Sequence, residues 1–488
     1  MENPATRESV PVLIQSSPPC IGSSTPMAWR LAIGASIFFI AGAAYLFREA
    51  FGLRGQAATG VVFFFGLIAV FSSNLRAVNW RTIGCGFGLQ LILALLVLNG
   101  QVVLGGRVYS VKHALERVGE LFKSFIGFSD RGAEFVFGNL ARPEHLGKVY
   151  GSDFLFPFAF KVMPSILFVS AFFTLLYHYG VVQWCVRQMA RVMTYLMCTS
   201  GAETLSVSAN VFMGQTEAPL IVKPYVPGMT NSELFTLMVS GFAHISGGMM
   251  IVYINYGADP AAVLTTCVMA CPCSLYLSKL FLPELAIPET ASSATISHEK
   301  SPYVNAIDAI SSGTKDGLQL ALNVCAMLIV FIAFVAMFDA LLGTIKPALL
   351  WFGVSELSLR AWPEQLTLAK LLGWLFAPAA FLIGIELTDV QHVGSLLGSK
   401  LAINEHFAYL QFKTLAETNP EFITERSKIL AAFALTGFAN FASVGIQLGG
   451  IGAIAPKRQH DLARLGGRAL FVGFVATLLN AAIAGVFL

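Results

Sequence analysis

Two carboxylates stand in apolar surroundings where a charge needs a reason. Glu217 closes the run Asn210-Val-Phe-Met-Gly214-Gln215-Thr216-Glu217-Ala-Pro219, and Glu405 sits in Asn404-Glu405-His406-Phe-Ala-Tyr409. A carboxylate accepts strongly from vicinal hydroxyls, while amides and a hydroxyl can match an edge of donors and acceptors. The chemistry on offer is recognition of a small polar molecule. A membrane enzyme would need a nucleophile–base pair or a metal triad at one depth, and the sequence shows neither.

Composition explains why these residues are legible. Of 488 residues, 31 are Lys or Arg and 28 Asp or Glu, a charged share of 12%, against an apolar share of 56%. A soluble domain carries roughly 25% charge. A soluble enzyme, a disordered chain and a nucleic-acid binder are thereby excluded, and the net charge of +3 indicates no basic partner. What is left is a polytopic membrane protein in contact with lipid, placed in the cell (plasma or inner) membrane. Cys267, Cys271 and Cys273 cluster in an apolar segment without a second Cys or His pair at zinc spacing, so buried small hydrophobes are expected rather than a metal site. Residues 1–26 are polar and rich in Ser and Pro, which predicts a disordered tail and not a signal peptide.

Charge-free runs of membrane-crossing length cover 31–47, 57–75, 82–106, 162–185, 234–258, 261–278, 317–338, 429–455 and 469–488. Val111, Leu115, Val118, Leu121, Phe122 and Phe125 recur at helical spacing opposite charged residues, which predicts an amphipathic helix lying on the membrane surface. A second interfacial helix is expected around Trp184, Met189, Met193 and Leu196. Residues 284–316 form a polar connector, and 371–385, interrupted by Pro378, suits a tilted or interfacial segment. The basic cluster Lys457, Arg458, Arg464 and Arg468 is placed on the cytoplasmic side.

The two acidic runs do not fit simple crossings. Ser200-x-x-Glu203 is a capping box that opens a helix, and Gly214 and Pro219 then forbid one continuous helix. Two half-helices that enter and leave from one side, with the polar tip buried in protein at mid-depth, solve the problem. Residues 203–223 and 387–412 are read as two such re-entrant hairpins. A Gly-rich span carrying Gly-Phe-Ala follows each of them, at Gly241-Phe242-Ala243 and Gly437-Phe438-Ala439, and then a closing helix. Paired interrupted helices in an internal repeat are the signature of a secondary transporter, with its site near the midplane between the repeats. The fold class is therefore all-α, with about nine transmembrane helices, two hairpins and an inverted-repeat transport domain.

Over residues 154–488 the chain resembles the concentrative nucleoside transporters. The likeness rests on Ala209 through Pro219, Met229-Thr-x-Ser232-Glu-Leu-Phe, Gly394-Ser-Leu-Leu-Gly-x-Lys400, Asn404-Glu405, Thr436-Gly-Phe-Ala-Asn440, Ala455-Pro-x-Arg458 and Asp461-Leu-Ala-Arg464. The resemblance implies a homotrimeric, cation-coupled importer of nucleosides that alternates access by moving a transport domain. It implies that Gln215, Thr216 and Glu217 recognise the base, with Met249 against it. Glu405, Asn440 and Ser443 would hold the ribose, and Phe438 would pack on the nucleoside. It also implies a sodium site from the Asn210 side chain and the Met213 and Ile245 carbonyls. The fourth place, usually a Ser or Thr hydroxyl, is His244 here, and His406 stands where Phe is usual. An imidazole is a poor ligand for a hard cation, so either Na+ or H+ is carried forward as the coupling ion, with no other cofactor. A proton-coupled carrier of another polar metabolite and a nucleoside-sensing receptor are the alternatives.

The expected layout is a tail (1–26), N-terminal scaffold helices with the interfacial helix (27–153), a scaffold helix (154–186), repeat 1 (187–283), a scaffold helix (317–345) and repeat 2 (366–488).

Overall fold

The computed structural model describes residues 24–104, 107–142, 158–291, 303–355, 363, 365–418 and 423–488. Of the expected tail, residues 1–23 lie outside the described residues, as do 143–157 and, within the polar connector, 292–302.

The described residues are helical apart from one short antiparallel pair and connecting turns. Helices α1 (Met27–Leu46), α2 (Arg48–Val70) and α3 (Trp80–Asn99) form the N-terminal group. The third expected span is cut short because the chain leaves α3 at Gly100 and enters the strands Gln101–Leu104 and Arg107–Ser110. The expected amphipathic helix is present as α4 (Val111–Phe137), and its Phe125 packs on Phe168 and Phe172 with ring centroids 4.7 and 4.4 Å away. Those two rings belong to α5 (Phe158–His178). The span expected at 162–185 ends at His178, because Gly180 takes a left-handed φ of 78° and turns the chain by 72° into α6 (Val181–Met197).

Repeat 1 then runs through α7 (Gly201–Ala209), a single turn (Ala218–Ile221), α8 (Asn231–Ala243), α9 (Gly247–Asn255) and α10 (Pro260–Phe281). A long helix α11 (Ala306–Gly343) and a short α12 (Ile345–Trp351) separate it from repeat 2. Repeat 2 comprises α13 (Leu368–Ile383), α14 (Val390–Ala402), α15 (Glu405–Thr418), α16 (Glu425–Leu435), α17 (Phe441–Ile454) and α18 (Gln459–Phe487). Among the described residues, six helices are long and apolar enough to cross a membrane, or seven if the bent pair α5–α6 is counted as one. Two of the expected spans, 234–258 and 429–455, are each a pair of half-helices, α8–α9 and α16–α17. The segment expected to be interfacial is α13, which lies along the hairpin arm α14. Glycine makes that approach possible, since a Cβ at Gly394 would meet the Gly373 carbonyl at 2.7 Å. α2 and α3, expected with the scaffold, pack on α10 and α18, while α5 and α11 pack on each other.

The two broken helices share one register. Thr230 caps α8 and Ser246 caps α9; Thr424 caps α16 and Asn440 caps α17, with the same spacing in both repeats. In this register Ser240 corresponds to Ala434, His244 to Phe438 and Tyr253 to Gln447. The Gly-Phe-Ala match read from the sequence is two residues out of step, because Ala243 rather than Gly241 falls opposite Gly437. The breaks meet each other directly, with the Phe438 N–H donating to the His244 carbonyl at 3.0 Å. Gly437 allows this contact. Its φ is +136°, and a Cβ there would lie 2.7 Å from Thr477 Cγ2 and 3.0 Å from the Phe242 carbonyl.

The hairpin bases are held by polar groups. The expected capping box of Ser200 with Glu203 forms, and Thr230 with Glu233 makes a second. Ser200 also donates to Glu233 at 2.5 Å, and Lys279 Nζ lies 2.8 Å from Glu203 and 3.3 Å from Glu284. In repeat 2 the matching tie is Asp389 at the start of α14, which accepts from the N–H and hydroxyl of Thr424 at 3.0 and 3.1 Å. Lys279→Met should leave the buried Glu203 uncompensated and cost about 3–5 kcal/mol. Thermal unfolding of purified protein should show a large drop, and an unchanged midpoint would refute this role. Gly437→Ala should cost about 1–3 kcal/mol through backbone strain and the clash at the crossing. Gly445→Ala, where an added Cβ meets nothing within 4 Å, is the control.

Candidate functional site

Each hairpin tip is held by the second half-helix of the other repeat. At the tip of hairpin 2, Glu405 opens α15. Its Oε1 accepts from the Tyr253 hydroxyl of α9 at 3.0 Å, and its Oε2 accepts from Asn440 Nδ2 at 2.7 Å. Tyr253 is positioned by stacking on Tyr409, with centroids 4.4 Å apart and an interplanar angle of 14°. At the tip of hairpin 1, Gln215 Oε1 accepts from Gln447 Nε2 of α17 at 3.1 Å, and Gln215 Nε2 donates to Ser443 Oγ at 3.2 Å. Tyr253 and Gln447 are the pair that correspond in register, so the two contacts are one contact made twice.

Asn440 joins the two halves. As the N-cap of α17 it accepts from the Ser443 N–H at 2.8 Å while donating to Glu405. The result is a continuous polar chain, Gln447–Gln215–Ser443–Asn440–Glu405–Tyr253, through the buried interior. Of the residues expected to bind substrate, Gln215, Ser443, Asn440 and Glu405 are brought together in this chain. Thr216 lies beside it, against Gly450, where a Cβ would come within 2.9 Å of its methyl. Met249 is buried in the first turn of α9, and Phe438 is half-buried in the repeat 2 break. Glu217 stands apart. It accepts from the Gly214 N–H at 3.1 Å, is exposed, and lies within electrostatic reach of Asp316 on α11. The two carboxylates thus differ: Glu405 is buried at 5% exposure and already twice bonded, and Glu217 faces open space. A carboxylate has about four acceptor sites, so Glu405 can take an incoming donor beside these partners.

The expected cation ligands lie on the far side of the repeat 1 break. Asn210 Nδ2 donates to Ser240 Oγ at 2.9 Å, and its Oδ1 is buried without a hydrogen-bond partner. The Met213 and Ile245 carbonyls accept no backbone hydrogen bond among the described residues. The orphaned Asn210 oxygen and the uncommitted Met213 and Ile245 carbonyls, from the end of hairpin arm 1 and the α8–α9 break, are donors of the oxygen type that a hard cation prefers. His244 is not turned to that task. Its Nδ1 lies 2.9 Å from the Ser240 carbonyl and its Nε2 3.4 Å from Cys271 Sγ. A carbonyl only accepts, so Nδ1 carries a proton, and the ring bridges α8 and α10. His406 Nε2 meets the Tyr256 hydroxyl at 3.0 Å. Cys267, Cys271 and Cys273 are buried, and among the described residues no three His, Cys, Asp or Glu side chains gather as a metal site.

Comparison with known proteins decides the family. Residues 59–140 match the family model "Na+ dependent nucleoside transporter N-terminus", 262–485 match its C-terminal counterpart, and 159–259 match "Nucleoside recognition". An "Uncharacterized transporter" of Haemophilus influenzae is 36% identical over 431 residues, covering 88% of this chain and 96% of that protein. This chain belongs to the Na+-dependent nucleoside transporter family. Human "Sodium/nucleoside cotransporter 1" is 35% identical over 88% of this chain and 63% of its own length, and mouse "Solute carrier family 28 member 3" is 35% identical over 88% and 58%. The chain therefore spans less than two thirds of these mammalian relatives. The solved structure of CNTnw in an inward-facing, substrate-bound state is 34% identical, with a TM-score of 0.79 over 89% of this chain and 98% of that one. A CNTnw variant in an outward-facing state matches equally well, with a TM-score of 0.79 and 33% identity. Family members are transporters and not enzymes, and this nucleoside transporter relative is a multi-pass membrane protein.

Sequence reasoning missed Tyr253 and Gln447. Their partners lie 152 and 232 residues away, and the only local signal was a polar group one helical turn from Met249 or Ser443. Gln447→Leu should strip Gln215 Oε1 and the Met238 carbonyl of their shared donor and cost about 1–3 kcal/mol in unfolding free energy. The exposed Ile446→Val should cost far less, and equal midpoints for the two variants would contradict the assignment.

Proposed function

We propose that this chain imports nucleosides across a cell membrane, coupled to sodium entry, with Gln215, Thr216 and Glu217 facing the base and Glu405, Asn440 and Ser443 facing the ribose. The observation that carries the proposal is the chain of hydrogen bonds that sets Glu405 and Gln215 into one site from opposite repeats. A ribose presents two adjacent hydroxyl donors, and Glu405 offers a carboxylate whose geometry is already fixed by Tyr253 and Asn440. Preorganised acceptors lose little entropy on binding. Met249 and Phe438 supply the apolar surface on which a base or sugar face can rest.

Sodium is favoured over the proton for a physical reason. The oxygen set of Asn210, Met213 and Ile245 suits a hard cation, whereas both ring nitrogens of His244 are engaged with Ser240 and Cys271. Bound sodium would supply a positive charge between hairpin 1 and the α8–α9 break and thereby fix the tip that carries Gln215. Alternating access follows from family structures solved in inward- and outward-facing states. In this protein the body that moves would comprise both repeats with α2 and α3 packed on them, against a frame of α5 and α11. A homotrimer is proposed by likeness to the family, with α11 supplying exposed apolar residues such as Ile329, Ile332 and Phe338 at its surface.

Uridine uptake by reconstituted protein should vanish when sodium is replaced by choline and should change little between pH 6 and 8. Uptake that ignores sodium but follows a proton gradient would reverse the assignment of the ion. Glu405→Gln should keep the fold but lose charge-assisted bonds of about 1.5–3 kcal/mol, lowering kcat/KM roughly 10–150-fold. Uptake at the wild-type level would remove Glu405 from the site.

A further inference from the structure

The shared register of the broken helices pairs Ser240 with Ala434, and the hairpin side chains that reach these two residues differ in charge. The first arm of hairpin 1 ends at Asn210, the C-cap of α7, and its amide reaches Ser240 of α8. The first arm of hairpin 2 carries Lys400 in the last turn of α14, and its ammonium donates to the Ala434 carbonyl of α16 at 2.8 Å. Ser240 and Ala434 correspond in the N-cap register. The two hairpins therefore deliver their end groups to the same place in each repeat, beside the C-terminal end of a half-helix that stops inside the protein. That end carries the negative pole of the helix dipole and favours a cation.

The two places are satisfied differently. In repeat 1 the Asn210 Oδ1 acceptor is buried and has no partner. In repeat 2 the Lys400 ammonium is present, 0% exposed, bonded to the Ala434 carbonyl and to Thr477 Oγ1 at 2.8 Å, and 5.5 Å from the centre of the Phe474 ring. Among the described residues no carboxylate forms an ion pair with it. A buried ammonium without a carboxylate against it is strongly unfavourable unless its surroundings already present negative potential. A helix end, a hydroxyl, an aromatic face and, beyond hydrogen-bond distance, the carboxylate of Glu405 present it.

We propose that Lys400 is a tethered cation: its ammonium fills, in repeat 2, the position that repeat 1 leaves to an ion from solution at Asn210. The inverted repeat thus has two cation positions related by its internal symmetry, one built in and one exchangeable. The proposal rests on the cation-coupled reading above. It gives Lys400 a positioning role, since it touches no substrate and acts by holding hairpin 2, and with it Glu405, against α16 and α18.

Removing the charge should turn the built-in position into an exchangeable one. Lys400→Gln keeps a hydrogen-bonding side chain and loses the ammonium, whereas Lys400→Arg keeps a cation. The melting midpoint of purified protein is measured while sodium chloride replaces choline chloride at constant ionic strength, and uridine uptake is measured over the same series. Wild type and Lys400→Arg should show the same sodium dependence. Lys400→Gln should be destabilised in choline, should recover with sodium more steeply than wild type, and should show a sodium activation of uptake one order higher. A Lys400→Gln protein whose sodium dependence of melting equals that of wild type would overturn the proposal, whether or not uptake falls. So would a variant that cannot be recovered folded at any sodium concentration, because a free ion ought to substitute for the lost charge. A wild-type protein whose uptake ignores sodium would instead refute the coupling reading, and the melting series would still judge Lys400.

Discussion

The hydrogen bond from the Phe438 N–H to the His244 carbonyl marks the constraint on which the rest depends. Backbone that leaves the helical state at membrane depth must find partners inside the protein. Here the two unwound segments find one another, at positions that correspond in the internal repeat, and the glycine at 437 lets them touch. Beyond the crossing run the half-helices α9 and α17. Each then reaches the hairpin tip of the other repeat.

This exchange explains why the site has the residues it has. Tyr253 and Gln447 occupy one register position, yet one is a phenol aimed at a carboxylate and the other an amide aimed at an amide. The symmetry supplies the scaffold, and divergence at corresponding positions supplies two chemically different halves. One half offers a carboxylate to hydroxyl donors. The other offers donor and acceptor groups together. A nucleoside, with a sugar at one end and a base at the other, is a molecule of that description. The groups that reach the corresponding Ser240 and Ala434 differ in the same way, an amide from Asn210 and an ammonium from Lys400.

Local features were legible in the sequence and long-range ones were not. The capping boxes at Ser200 and Thr230 and the hairpin tips at Gln215 and Glu405 could be read because their signals lie within a few residues. The breaks were expected from glycine content, but their register was not, since the Gly-Phe-Ala match is a coincidence of text that the N-caps displace by two residues. The span at 162–185 was drawn too long because Gly180, one glycine among apolar residues, turns the chain sharply. His244 read as a misplaced cation ligand until its two ring nitrogens were found facing Ser240 and Cys271, the latter 27 residues away on another helix. Lys400 was part of a quoted motif with no role, because the carbonyl and hydroxyl that receive it come from α16 and α18.

The central claim is that one site is assembled from both hairpin tips across the helix crossing. A structure of the purified protein with uridine and sodium tests it most directly. The account predicts uridine between the tips, its ribose hydroxyls within hydrogen-bond distance of Glu405 and Asn440 and its base edge against Gln215 and Thr216. Uridine bound to the residues of only one hairpin, or seated away from both, would contradict it.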